Sequence, residues 1–136
     1  MATITNFEDL KIFKKARVLN KQIISLARLK IPKTDFRFIS QIISSSGSVM
    51  DNIAEGFERD SRLEFVNFLS FAKGSTGETR SQLVRGIDME YWLENDVKEL
   101  SVEFQNLAKD IANFIRYLNK SNIKGQKFKD RINPNQ

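Results

Sequence analysis

Proline is almost absent from this chain, and that constrains the fold more than any other feature of the sequence. The 136 residues contain only two prolines, Pro32 and Pro134, and six glycines. Folds with many strands need frequent turns, which these two residue types usually provide. Along most of the sequence, apolar residues instead recur every three or four positions, which is the spacing of one face of an α-helix. The sequence therefore predicts an all-α fold.

The boundaries of the first two helices follow from capping residues and from proline. Asn6 is a suitable N-cap for the first helix, which should end near Lys30 because Pro32 disfavours helical geometry at the residue before it. Thr34 or Asp35 should cap the second helix. The expected apolar faces are Ile12, Ala16, Leu19, Ile23 and Leu26 in the first helix, and Ile39, Ile42, Ile43, Ser46, Val49, Met50, Ile53, Ala54 and Phe57 in the second.

Two capping boxes, each with a glutamate three positions after the capping residue, predict two further helices. The segment from Ser61 to Glu64 opens the third helix, which we expect to continue through Gly74 and Gly77 and to pack closely against another element there. The segment from Asp96 to Glu99 opens the fourth helix. The expected apolar residues are Phe65, Phe68, Leu69, Ala72, Leu83, Ile87 and Leu93 in the third helix, and Val97, Leu100, Phe104, Leu107, Ala108, Ile111, Phe114, Ile115 and Leu118 in the fourth.

Four helices of about 20–30 residues joined by short links predict an antiparallel, up-down-up-down four-helix bundle. We assign this bundle to residues 1–121 and expect residues 122–136, which are basic and polar, to form a disordered tail. One face of the second helix carries small or polar residues that would let a neighbouring helix approach closely: Ser40, Ser44, Ser45, Gly47, Ser48, Asp51 and Asn52.

Cysteine and histidine are both absent from the sequence. This excludes disulfides, thiolate nucleophiles, imidazole bases and the usual zinc ligands. We therefore predict a protein with no enzymatic activity, no cofactor and no metal. The N-terminus has no apolar signal region and no apolar run approaches the roughly 18 residues of a membrane span, so we expect a cytoplasmic protein without membrane contact.

The formal net charge is +5, and the excess lies near the two ends of the chain. Residues 1–30 and residues 122–136 hold all of the excess positive charge. These cations could contact the phosphates of nucleic acid. Alternatively, those of the first helix form a solvated helix face and those at the end of the chain form a solubilising tail. No aromatic residue is interleaved with the helical cations, so base stacking is not expected. The candidate phosphate-binding residues are Lys14, Arg17, Lys21 and Arg28, which fall within about 60° on one face of the first helix, and Lys124, Lys127, Lys129 and Arg131 in the tail.

One group of polar residues in the second and third helices has two interpretations. Asn52, Glu55 and Glu78 could form a carboxylate site for a divalent cation, since hard metals prefer oxygen ligands. Together with Arg59, they could instead form a structural polar network that fixes helix register and satisfies buried groups. We favour the network, because di-metal bundles pair their glutamates with histidines and this sequence has none. The residues are Asn52, Glu55, Arg59 and Glu78.

The phenylalanines are our reason from the residues themselves to expect self-association. The sequence has eleven of them, and some widen the apolar faces beyond what one bundle core needs. Those expected to form an exposed patch near helix ends are Phe36, Phe38 and Phe57, and those that widen the third helix are Phe65, Phe68 and Phe71.

These motifs resemble a known family over residues 7–118. The family is that of the bacterial four-helix-bundle proteins, also called the 23S rRNA intervening-sequence protein family. The most specific part is Asn-Ile-Ala-Glu-Gly with a downstream Gly-Ser and Glu. The resemblance is carried by Phe7-Glu-Asp-Leu10, Phe13, Ala16, Gln41, Ser48, Asn52-Ile-Ala-Glu-Gly-Phe57, Arg59, Glu64-Phe65, Phe68-Leu69, Ala72, Gly74-Ser75 and Glu78.

The resemblance implies a non-enzymatic protein. Some members are encoded within intervening sequences of large-subunit rRNA genes. A related member, the accessory variability protein of diversity-generating retroelements, is a barrel-like homopentamer whose basic surface binds nucleic acid and a reverse transcriptase. For this chain, the resemblance therefore implies a homo-oligomer, specifically a pentamer, with RNA or DNA as a partner. The chain departs from the family at Ile43 and Ser44, where members often carry basic residues, so its positive charge would rest on the first helix and the tail.

Three hypotheses of different classes follow. The first is a non-enzymatic, homo-oligomeric binding or scaffold protein that contacts nucleic acid or a nucleoprotein without strong sequence preference. The second is a protein-binding adaptor with no nucleic-acid role. The third is a carboxylate metalloenzyme built on Glu55 and Glu78, which the absence of histidine disfavours.

Overall fold

The computed structural model describes residues 3–120, and long helices make up most of them. Their order is a single 3₁₀ turn at Phe7–Asp9, then α1 at Lys11–Lys30, α2 at Phe36–Glu58, α3 at Arg62–Asp88 and α4 at Glu94–Lys120. No strand occurs within residues 3–120, so the prediction of an all-α fold with four helices is confirmed. The predicted tail, with Lys124, Lys127, Lys129 and Arg131, lies outside the described residues.

The start of the first helix differs from the prediction. Asn6 precedes only the 3₁₀ turn, and its side chain makes no capping hydrogen bond. Leu10 then adopts extended geometry, with φ −66° and ψ 134°, before α1 begins. Leu10 is completely buried, so burial of its side chain in the core determines the backbone here and outweighs the local capping preference. The end of α1 at Lys30 agrees with the sequence.

The predicted caps of α2 and α3 are confirmed. The Asp35 carboxylate accepts a hydrogen bond from the backbone N–H of Phe38 at 3.2 Å, and the Ser61 hydroxyl accepts one from the N–H of Glu64 at 3.1 Å. Each bond satisfies one of the amide groups that a helix leaves unpaired at its N-terminus.

The middle of α3 is continuous, as predicted, but nothing packs closely on its two central glycines. A Cβ atom added to Gly74 or Gly77 would have no neighbouring heavy atom within 4 Å among the described residues. The expectation of a close contact there is therefore wrong within this chain. Close contacts occur at two other glycines: a Cβ on Gly56 would lie 2.7 Å from Phe68 Cβ, and one on Gly86 would lie 1.9 Å from the ring of Trp92.

A turn between α3 and α4 corrects the assignment of Leu93 to the third helix. α3 ends at Asp88, and Glu90 adopts a left-handed conformation with φ 64°. The backbone N–H of Tyr91 then donates to Gly86 O at 2.9 Å, a common way of ending a helix. Leu93 consequently precedes α4 and is 73% exposed. The helix begins two residues before Asp96, whose carboxylate accepts from the N–H of Leu93 at 3.0 Å.

The core lies between all four helices. Helices α2 and α3 pack most extensively against each other, followed by α3 with α4 and α1 with α2, whereas α1 and α4 touch least. The largest completely or almost completely buried side chains come from every helix and from the segment before α1: Leu10, Ile23, Phe38, Ile42, Ile53, Phe57, Phe65, Leu69, Leu83, Phe104 and Phe114.

Candidate nucleic-acid interface

The outer face of α1 carries the four cations that we predicted from the sequence to bind phosphate. Helix α1 contains seven Lys and Arg residues and no Asp or Glu. The members of the predicted stripe are all exposed, and none forms an ion pair with another described residue. They lie on the side of α1 away from its buried residues Ile12, Ala16, Leu19 and Ile23. We call this set the α1 stripe: Lys14, Arg17, Lys21 and Arg28.

Lys15 has a different role from the α1 stripe. Its ammonium group lies 3.4 Å from the Asp110 carboxylate and 3.7 Å from that of Glu103, so it joins α1 to α4. Among the described residues, neither carboxylate forms an ion pair with the α1 stripe. The stripe is therefore a positive surface without a local counter-charge from its own helix.

Two open grooves run between α1 and α4. One has a volume of about 590 Å³ beside the start of α1, and the other has about 580 Å³ near the start of α4. Their linings differ in charge. The first is lined by Lys11, Ile12, Lys14, Lys15, Val18, Asp110, Asn113 and Phe114. The second is lined by Lys21, Gln22, Ser25, Leu26, Asp96, Glu99, Leu100 and Glu103. The basic surface of α1 is thus bordered on the α4 side by a row of acidic residues.

Of the four residues predicted to form one polar network, only Glu55 and Arg59 contact each other among the described residues. Arg59 bridges Glu55 at 3.3 Å and Glu64 at 3.6 Å on the surface, and its guanidinium lies over the ring of Phe68, 5.0 Å from its centroid. Asn52 instead donates to the Ser48 carbonyl and hydroxyl oxygens at 2.8 and 2.9 Å.

Glu78 is exposed and makes no hydrogen bond or ion pair with any other described residue. It follows Ser75 by three residues on α3, but of the two only Ser75 forms a side-chain hydrogen bond to α2. Within residues 3–120, no cluster of three or more acidic, His or Cys side chains could hold a metal ion.

The buried polar network lies elsewhere, between α2 and α3. The Ser45 hydroxyl lies 2.9 Å from the Thr79 hydroxyl and donates to Gln82 Oε1 at 2.5 Å, and all three side chains are buried. Further along, Ser75 donates to the Ser48 hydroxyl at 3.0 Å. The small residues of α2 signalled this close contact, but the Thr and Gln partners on α3 were not identified from the sequence. The network fixes register between two helices and exposes no reactive group.

The predicted phenylalanine patch is mostly incorrect. Phe38 and Phe57 are almost completely buried, and they lie at opposite ends of α2, so they cannot share a surface. Phe36 alone of that set is exposed, at 75%. On α3, Phe65 is buried, whereas Phe71 is 52% exposed. Of the six phenylalanines singled out in the sequence, only Phe36 and Phe71 are therefore exposed.

One end of the molecule carries exposed apolar residues and a linking hydrogen bond. Leu29, Phe36 and Leu93 are each at least 73% exposed, at the end of α1, the start of α2 and the start of α4. Beneath them, the Tyr91 hydroxyl donates to the Asp35 carboxylate at 2.5 Å. This hydrogen bond is the main cause that raises the pKa of Tyr91 above its ordinary value of 10.0, with desolvation and the negative charge of Asp35 adding to it.

None of the helices described in residues 3–120 combines the length and the apolar character that crossing a membrane requires.

Comparison with known proteins identifies a family and a structural relative. Residues 8–113 match the family described as 23S rRNA-intervening sequence protein. A crystal structure of a protein with unknown function from the S23 ribosomal protein family of Bacteroides thetaiotaomicron is similar to this chain, with a TM-score of 0.70 and 25% sequence identity. The similarity covers 76% of this chain and 97% of that one. No curated protein matches the chain.

Proposed function

This chain belongs to the 23S rRNA-intervening sequence protein family, and from that premise we propose that it is a non-enzymatic scaffold that self-associates and binds the phosphate backbone of nucleic acid through the α1 stripe. The proposal includes a cytoplasmic location, where RNA and DNA are both accessible. The structural relative from Bacteroides is a protein with unknown function, so the argument rests on the residues of this chain.

The charge of α1 is the observation that carries the proposal. Seven cations without a single acidic residue on one helix are unusual for a merely solvated face, on which charges of both signs normally alternate. The four members of the α1 stripe are exposed and unpaired within the described residues, so binding phosphate would break no existing ion pair. Each phosphate contact also releases condensed counterions, which favours binding at low salt.

Binding without strong sequence preference is expected from the same surface. Reading bases in the major groove requires side chains such as Arg and Asn placed on an element that enters the groove. The α1 stripe contains only Lys and Arg, spread over about four turns of helix. Val18 is the one exposed large apolar residue within that span, and no aromatic ring lies among the four cations. Such a surface contacts backbone phosphates, not base edges.

Self-association would multiply these contacts. A ring of identical chains repeats the α1 stripe in each copy, and linked weak sites bind far more tightly than one alone. The exposed apolar residues Leu29, Phe36 and Leu93 offer surface for contacts between copies. The number five rests solely on the resemblance to the retroelement accessory proteins.

We infer an up-down-up-down, antiparallel order for the helices within each copy. Side-chain contacts between successive helices support it, because each joins one end of a helix to the opposite end of the next. These contacts are Gln41 with Arg85, Phe57 with Phe65, and Arg62 with Asn119.

Fluorescence anisotropy with labelled RNA and DNA duplexes tests the proposed function. At about 50 mM salt, where phosphate contacts are strong, we expect the wild-type protein to bind both. The charge reversals Lys14→Glu, Arg17→Glu, Lys21→Glu and Arg28→Glu should weaken binding strongly without unfolding the protein. A matched control changes the net charge equally at exposed cations outside the stripe: Lys30→Glu, Lys33→Glu, Arg37→Glu and Lys98→Glu. Equal loss in both variants would mean that total charge, and not the α1 stripe, determines binding.

The adaptor hypothesis has its own supporting observation, the exposed apolar end at Leu29, Phe36 and Leu93. It replaces the nucleic-acid proposal if the wild-type protein binds neither duplex. Multi-angle light scattering tests self-association separately. A mass equal to the monomer, 15.7 kDa, at micromolar concentration would contradict it, and a dimer or tetramer would contradict only the number five.

A further inference from the structure

A second cationic surface lies on the side formed by α3 and α4. It contains an open depression of about 510 Å³ between the first half of α3 and the second half of α4. The exposed side chains of Lys73 and Arg116 border it. The remaining lining residues are Ser70, Gly74, Ala112 and Ile115, so the depression has no carboxylate.

Further cations extend this surface along both helices. Lys109 and Lys120 are exposed and fall within about 40° of Arg116 around α4, so the three form a row. On α3, Arg80 follows Lys73 by two turns on the same side of the helix. The Nε–H group of Arg80 is buried and has no hydrogen-bond partner among the described residues. We call this set the α3–α4 surface: Lys73, Arg80, Lys109, Arg116 and Lys120.

The acidic residues of these helix segments point elsewhere. Asp110, on the second half of α4, is turned towards α1 and pairs with Lys15. Glu64 pairs with Arg59 on the α2 side of α3. Glu78 lies about 140° around α3 from Lys73. The positive charge of the α3–α4 surface is therefore not neutralised by the carboxylates nearest to it in the sequence.

Small residues let a large ligand approach this surface. Gly74 and Gly77 lie on the exposed side of α3, and a side chain at either position would touch nothing within the described chain. Each glycine costs a helix about 1 kcal/mol relative to alanine, and no contact inside residues 3–120 accounts for that cost. Gly74 also lines the depression together with Ser70 and Ala112, so that, apart from Ile115, only short side chains accompany Lys73 and Arg116 there.

The two basic surfaces face different directions. α1 packs mainly on α2 and α4, so α3 lies diagonally across the core from it. The way from the α1 stripe to the α3–α4 surface across α4 passes the acidic row of Glu99, Glu103 and Asp110. A nucleic-acid strand following that path would meet like charge, and each surface therefore suits a separate strand.

We infer that the α3–α4 surface is a second, independent contact site for the phosphodiester backbone of nucleic acid, so that a single chain holds two strands at once. The inference rests on the proposed function, to which it adds bridging. A membrane fits the surface less well, because the depression offers only the half-buried Ile115 as a large apolar side chain, and peripheral membrane binding needs exposed apolar residues beside the cations.

A capture experiment tests this inference. One duplex is immobilised on beads, the protein is added, and capture of a second, fluorescent duplex is measured, with RNA and DNA in separate arms. We expect wild-type protein to capture the second duplex. The variant Lys73→Glu, Lys109→Glu, Arg116→Glu should still bind a single duplex through the α1 stripe but should capture the second at least about tenfold less, since it loses three phosphate contacts.

The control variant Lys33→Glu, Arg37→Glu, Lys98→Glu has the same change in net charge and should capture like the wild type. Circular dichroism and light scattering establish that all variants keep their fold and mass. Undiminished capture by the α3–α4 variant would overturn the inference, because bridging would then come from self-association alone. Loss of single-duplex binding in that variant would also overturn it, since only one surface would be in use. Failure of wild-type protein to bind any single duplex would instead overturn the proposed function itself.

Discussion

The interface between α2 and α3 differs from that between α1 and α4 in both packing and chemistry. Gly56 brings α2 so close to α3 that a Cβ atom would lie 2.7 Å from Phe68, and the buried Ser45, Thr79 and Gln82 are joined by hydrogen bonds. Between α1 and α4, by contrast, Lys15 spans an open groove with its long side chain to reach two carboxylates. The interface between α2 and α3 therefore tolerates little change in the distance between its helices. The interface between α1 and α4 tolerates a larger change.

This difference indicates that the two interfaces contribute unequally to the geometry and stability of the bundle. Short side chains and buried hydrogen bonds impose one register, because any shift leaves polar groups unpaired. Long, exposed ion pairs impose little geometry and contribute little stability. The hydrogen bonds that fix helix register therefore lie between α2 and α3, whereas the cations on the outer side of α1 form no ion pair within residues 3–120.

The largest expected effect compares two glycines on the same helix. Gly56→Ala should destabilise the protein by about 2 kcal/mol, because the added methyl group overlaps Phe68 and Phe65 in a packed interface. Gly47→Ala should stabilise it by up to about 1 kcal/mol, since the new Cβ would have only Asn20 Oδ1, at 4.0 Å, near it and alanine favours the helix. Urea unfolding measures both. If the two substitutions changed stability by similar amounts, α2 would not be packed more closely at Gly56, which faces α3, than at Gly47, which faces α1.

A smaller difference in stability is expected between substitutions of polar residues in the α2–α3 interface and in the α1–α4 interface. Ser45→Ala leaves the Gln82 carbonyl oxygen buried without its donor and should cost about 1 kcal/mol. Lys15→Gln removes the ion pairs with Glu103 and Asp110 but should change stability by less than about 0.5 kcal/mol, because the groups are partly exposed. Both changes in unfolding free energy are obtained from the midpoints of urea unfolding, provided that the variants and the wild type have the same dependence of this free energy on urea concentration. A larger effect for Lys15 than for Ser45 would reverse the comparison.

The smallest expected effect depends on pH. Tyr91 donates to Asp35, which raises the pKa of the phenol above 10.0. Its contribution to stability is therefore fully present below pH about 10 and is lost as the pH rises through the raised value in the folded protein. The melting temperature of Tyr91→Phe should be slightly below that of the wild type at pH 8, and the two should converge at higher pH. If the difference in melting temperature stayed constant at every pH at which the protein remains folded, this hydrogen bond would have no part in it.

Local patterns in the sequence were sufficient for the interiors of the helices and for two of their starts. Apolar spacing and capping residues identified Asp35 and Ser61 correctly, because both caps form within four residues of chain. The start of α1 was missed because burial of Leu10 decides it, and burial depends on the whole core. The end of α3 was missed because Glu90, a residue seldom found in left-handed geometry, occupies the turn where glycine is the usual signal.

The candidate sites also differ in whether the sequence could predict them. The α1 stripe could be predicted because its four cations lie on one helix, and the spacing alone determines which side they share. The α3–α4 surface could not, because Lys73 and Arg116 are far apart in the sequence and meet only through packing of the two helices. The polar network was misplaced for the related reason that Glu55 and Glu78 look alike in sequence, yet only Glu55 has an ion-pair partner among the described residues.

The dependence of nucleic-acid affinity on salt tests the central claim most directly. Log affinity should fall linearly with log salt concentration, with a slope of about −0.9 for each phosphate contacted on duplex DNA. Replacing Lys14, Arg17, Lys21 and Arg28 by glutamine removes four cations from the α1 stripe without introducing repulsion. If all four contact phosphates, the slope should become shallower by about 3 to 4. Parallel lines for the wild type and this variant would contradict the assignment of the α1 stripe as the binding surface.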